Sequence, residues 1–192
     1  FITAATKTKQ HKHIHIPPLS SIDWLILGIL SSVALPLLLL YSHIPSHFFQ
    51  DEFISAYTSY MLPAISNLDW FAAYPGWWVS QFPVLFFILQ KPFFLLFGPT
   101  VDAIRISVWP YYLGTLVYLY VLALRFFSRR VAIFSSFACV FLAANLYLWS
   151  TGVHFISSTF FYIAFLYHLL MLLRYERPID LWATGIILGL SY

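Results

Sequence analysis

Long apolar runs separated by short polar breaks set the frame of this chain. From Ile22 to Tyr41 the residues are apolar apart from Asp23 and the Ser31-Ser32 pair, enough helix to cross about 30 Å of hydrocarbon. Comparable runs predict further spans over residues 106–127, 131–149, 155–173 and 181–192. Pro83 to Phe97 is apolar but short and is broken by Gln90-Lys91-Pro92. It is predicted to lie along the membrane interface or dip into it, within an outer loop covering 45–105. In that loop, Phe53, Ile54, Tyr57, Tyr60, Met61, Ala64 and Ile65 share one helical face, whereas Ser55, Thr58 and Ser59 fall off it. This spacing predicts a short amphipathic helix in the interface, with Asp51-Glu52 in its first turn.

Composition narrows the class. With 61% hydrophobic, 21% aromatic and 9% charged residues, the chain has too little polar surface to cover a water-soluble globule. The fold class expected is all-α integral membrane, a multi-span helical bundle. At about 20 residues per span, 192 residues hold four or five. The chain opens at Phe1 and stops at Tyr192 inside an apolar run, so it is expected to be a piece of a longer protein.

Charge sets the orientation. Residues 1–21 form a basic tail in which Lys7, Lys9 and Lys12 alternate with His11, His13 and His15. If the segment around Pro92 does not span, Arg125, Arg129, Arg130, Arg174 and Arg177 fall on the same side as those lysines, which the positive-inside tendency makes cytoplasmic. The basic residues are scattered between apolar runs, so the net charge of +3 does not mark a nucleic-acid surface. The tail histidines lack Cys or acidic neighbours and are assigned no metal site. His43 and His47 have helical spacing, but Pro45 between them argues against a ligand pair. Cys139, the only cysteine, sits within an apolar run and is expected to pack as a small apolar group. Gly185 and Gly189 form a GxxxG, a signal for close helix packing.

In so uncharged a chain, the adjacent carboxylates Asp51 and Glu52 just beyond the first span are the main candidates for chemistry. Their purely structural role would be to satisfy the free N–H groups and dipole of a helix N-terminus. The aromatic loop of Trp70, Tyr74, Trp77 and Trp78 suits sugar stacking and interfacial anchoring equally. Charges cluster at the ends of the runs, which disfavours a transporter, while a non-catalytic scaffold stays open.

From Asp51 onward the order of features resembles the GT-C membrane glycosyltransferases. The similarity is to the group of dolichyl-phosphate-mannose protein mannosyltransferases and lipid A aminoarabinose transferases. The matching pieces are Asp51-Glu52 after the first span, then Phe82-Pro83-Val84-Leu85-Phe86-Phe87 leading to Leu96-Phe97-Gly98. Ala103-Ile104-Arg105-Ile106, Tyr118-Leu119-Tyr120-Val121-Leu122-Ala123 and Ser128-Arg129-Arg130-Val131-Ala132 follow in order. Relatives often carry His-Pro-Pro or Lys-Pro-Pro where this chain has Phe82-Pro83-Val84, and an acidic and a basic residue where it has Ser150 to His154.

The resemblance implies transfer of a sugar from a polyprenyl-phosphate-linked donor to a protein, lipid or glycan acceptor, with membrane lipids as surroundings and no nucleic acid. Asp51 would act as general base or through a divalent metal ion, with Glu52 beside it. Arg105 matches a basic residue at the outer end of the second span and would meet the lipid phosphate, supported by Lys91 or His154. Taken without the resemblance, Arg105 reads as a side chain snorkelling to the headgroups and His154 as an interfacial histidine. The implied location is the plasma membrane in a prokaryote and the endoplasmic reticulum in a eukaryote.

Overall fold

A computed structural model describes residues 17–43, 84–98, 100–142 and 155–190. Asp51, Glu52, His154 and the expected interfacial helix lie outside these residues. Every regular element among them is helical: α1 Ser21–His43, α2 Val84–Phe97, α3 Val101–Ser107, α4 Trp109–Phe126, α5 Arg129–Phe141, α6 Phe155–Tyr175 and α7 Pro178–Leu190. Three stretches are long and apolar enough to cross a membrane, Ser21–Ser42, Val101–Phe126 and Ser157–Tyr175. The helices at 129–141 and 178–190 coincide with two more expected spans but are shorter, and residues 143–149 of the former lie outside the described residues.

The second long stretch begins earlier than the apolar run suggests and is divided at Val108. Thr100 caps α3 by accepting from the Ala103 N–H, and Gly98 turns the chain into it with φ of 73°. Pro110 then falls in the first turn of α4. It has no N–H to donate to the carbonyl of Ile106, and its ring crowds that carbonyl, so the ladder resets through Val108. The Gln90-Lys91-Pro92 break does not end α2, which is helical throughout. Gln90 is buried and its amide donates to the Ser107 hydroxyl at 2.9 Å, which turns the polar break inward onto α3.

α4 is the hub. Its Tyr112, Leu116, Tyr120 and Ala123 are buried at helical spacing and pack with Leu27, Leu30, Ala34 and Leu38 of α1 and Ala132, Cys139 and Val140 of α5. Its other flank, including Tyr111 and Tyr118, meets the rings of Phe160, Phe161 and Tyr167 on α6. The small Ala34, Ala123, Ala132 and Ser136 allow the backbones to approach. Outward faces carry exposed Trp24, Leu25, Phe134, Leu173 and Trp182, a surface suited to hydrocarbon.

At Gly114, α4 packs tightly against α6. A Cβ there would meet the Phe160 ring at 2.5 Å, and that ring is hemmed in by Tyr111, Tyr118 and Phe161. Gly114→Ala gains about 1 kcal/mol of helix propensity but loses about 1–3 kcal/mol to overpacking. A lowered melting temperature in detergent is therefore expected, and Phe160→Leu in the same chain should restore it. Gly185 and Gly189 behave differently from their GxxxG signal. A Cβ on either meets no atom within 4 Å, so this stripe packs against none of the described helices.

Candidate functional site

Polar side chains gather at the two ends of the bundle. α1 and α4 run antiparallel: Arg105 of α3 reaches Ser42 at the C-terminal end of α1, and Tyr120 of α4 reaches Asp23 at its N-terminal end.

At the first end, Arg105 is buried and its Nη1 donates to the Ser42 carbonyl. That carbonyl lies at the end of the described part of α1, so the guanidinium ties α3 to α1 through a charge-assisted hydrogen bond to the backbone. The expectation of a snorkelling arginine is corrected here, because the side chain turns into the bundle. Beside it, Ser107 accepts from Gln90 and donates to the Ile104 carbonyl. A cavity of about 280 Å³ adjoins this pair, lined by Leu89, Phe93, Ser107, Pro110, Tyr111 and Phe160. The Tyr111 hydroxyl is buried and has no hydrogen-bond partner among the described residues. Lys91, half-buried, stands next to Gln90 on α2, the helix packed on α3. Of the expected site residues, the structure therefore brings Arg105 and Lys91 onto packed neighbouring helices.

At the second end, Ser20 and Asp23 form a reciprocal cap. Ser20 Oγ accepts from the Asp23 N–H, and Asp23 Oδ2 accepts from the Ser20 N–H at 2.9 Å. Asp23 Oδ1 also accepts from the Tyr120 hydroxyl at 2.8 Å and from Arg129 Nε at 3.0 Å. A parallel cluster joins α4, α6 and α7: Asp180 Oδ1 lies 2.8 Å from His168 Nδ1, and His168 Nε2 lies 3.2 Å from the Tyr118 hydroxyl. Arg177 Nε is 3.1 Å from the other Asp180 oxygen, an ion pair without hydrogen-bond alignment.

Sequence reasoning missed both clusters. Ser20-x-x-Asp23 ahead of an apolar run is a capping-box signal and could have located the first. Nothing in the sequence links Tyr118 to His168 fifty residues away.

Among the described residues no three His, Cys, Asp or Glu side chains gather as a metal site. Asp51, which the resemblance associates with a divalent ion, lies outside them. No family model, curated protein or solved structure matches the chain.

Proposed function

We propose that the chain is a multi-pass membrane glycosyltransferase that moves a sugar from a polyprenyl-phosphate carrier to an acceptor on the non-cytoplasmic face. The observation that carries this reading is a buried cation, Arg105, two residues from the Ser107 that lines an apolar cavity at the same end of the bundle. Arg105 supplies the charge, and Leu89, Phe93 and Phe160 supply walls for an apolar chain segment. The chain also leaves α1 at this end, and Asp51 follows His43 by eight residues.

The physics of the donor favours such a place. Each buried methylene of an isoprenoid contributes about 0.8 kcal/mol, so its phosphate has to be met at the membrane surface. In the reaction the acceptor oxygen attacks the anomeric carbon while the bond from that carbon to the phosphate oxygen breaks. The electron pair leaves with polyprenyl phosphate, and the acceptor proton passes to Asp51. Arg105, with Lys91 or His154, would neutralise the departing phosphate.

Membranes containing the full chain, incubated with labelled polyprenyl-phospho-sugars, are expected to release polyprenyl phosphate. No release above membranes lacking the chain, across hexosyl and pentosyl donors, would leave a scaffold in place of an enzyme. Arg105 offers a sharper check. Arg105→Gln removes a charge-assisted contact and is expected to raise the KM for donor by about tenfold to a hundredfold, with Arg105→Lys recovering part. A tie between α3 and α1 and nothing more would lower the melting temperature and leave KM unchanged.

A further inference from the structure

The end of the bundle opposite Arg105 collects Arg125, Arg129, Arg130, Arg174 and Arg177, together with the N-termini of α1, α5 and α7. Two of these cations are matched by carboxylates, Arg129 by Asp23 and Arg177 by Asp180. Among the described residues, Arg125, Arg130 and Arg174 pair with no carboxylate, and the exposed Glu176 pairs with no cation.

Arg125 and Arg174 stand side by side at the C-termini of α4 and α6. Arg174 Nη1 is 3.5 Å from the Arg125 carbonyl, and its guanidinium lies 5.7 Å from the Phe126 ring centre and 5.4 Å from that of Tyr175. Stacking of this kind holds the fork in one orientation and leaves N–H edges for an anion. Arg125 Nη2 donates to the Pro17 carbonyl, which fixes its half-buried side chain at the rim of the bundle. The carbonyl ends of α4 and α6 offset part of the two charges without supplying a carboxylate to neutralise them.

The immediate neighbours are apolar and outward-facing: Phe127 is 74% exposed and Leu173 71%. A phosphate bound between the two arginines would thus sit directly over surface suited to acyl chains. We propose that Arg125 and Arg174 hold the phosphate of an anionic phospholipid headgroup between the C-terminal ends of α4 and α6. The site lies at the other end from Arg105 and does not depend on sugar transfer.

Native mass spectrometry of the full chain, offered equal amounts of phosphatidylglycerol and phosphatidylcholine, tests it. The wild type is expected to retain phosphatidylglycerol about tenfold over phosphatidylcholine. Arg125→Gln/Arg174→Gln should bring the two close to parity, with helix content unchanged and only a small fall in melting temperature in phosphatidylcholine from the lost exposed contacts to Pro17 and the Arg125 carbonyl. Equal retention by the wild type, or undiminished preference in the folded double variant, overturns the proposal. So does displacement of the lipid by inorganic phosphate at matched concentration, which would indicate a free-phosphate site. Should the double variant not fold, salt decides on the wild type: preference lost on going to about 0.5 M NaCl supports the arginine site, and preference untouched by salt overturns it.

Discussion

Asp51→Asn is expected to lower sugar transfer by about a hundredfold to ten-thousandfold while membrane insertion and melting temperature stay at wild-type values. The amide keeps the size and most of the hydrogen-bonding shape of the carboxylate but cannot take a proton from the acceptor. A residue that only caps a helix would respond otherwise, because asparagine caps about as well as aspartate. The measurement is initial rate of polyprenyl phosphate release per inserted chain, alongside thermal unfolding in detergent. Retained transfer would remove Asp51 from the reaction. Glu52→Gln made in parallel separates the two neighbours, since only the proton acceptor should show the full loss.

The largest effect on stability is expected at Asp23. Asp23→Ala should cost about 2–4 kcal/mol, composed of unequal parts. The Tyr120 hydroxyl is fully buried and would be left without its acceptor, a loss of about 1–3 kcal/mol. The reciprocal cap with Ser20 contributes about 1 kcal/mol. Arg129 contributes least, because its side chain is 46% exposed and can return its charge to water. Unfolding measured in one detergent should therefore rank Asp23→Ala well below Arg129→Gln. Tyr120→Phe added to Asp23→Ala should recover part of the loss by removing the stranded hydroxyl. Equal destabilisation by Asp23→Ala and Arg129→Gln would show that the ion pair, and not the buried hydroxyl, dominates this corner.

Some of this arrangement was legible from residue order, and some was not. The runs at 22–41 and 155–173 correspond to α1 and α6 because about twenty successive apolar residues have one low-energy backbone in hydrocarbon, and it is helical. Pro110 lies inside the run at 106–127, and the break it makes between α3 and α4 is not visible in an apolar count, nor is the helical start at Val101. Gln90-Lys91-Pro92 reads as a break in the apolar run, yet α2 continues through it. Ser107, seventeen residues on, accepts from Gln90 and removes the penalty. Arg105 was legible as a residue of interest but not as a buried one, because the carbonyl it binds belongs to a different helix.

By itself the sequence determined the helical class, the rough position of the three longest apolar runs and the gathering of most basic residues near the ends of such runs, since these depend only on local composition. It could not determine which face of each helix turns inward. α1 is apolar on all sides, so Leu27, Leu30, Ala34 and Leu38 differ in no visible way from the exposed Leu25, Ile29 and Leu40. Tertiary structure alone decided that face, through the fit of small residues against the tyrosines of α4. It also decided the partners of Asp23, Arg105, His168 and Asp180, because a buried polar group must find its complement wherever packing brings one near.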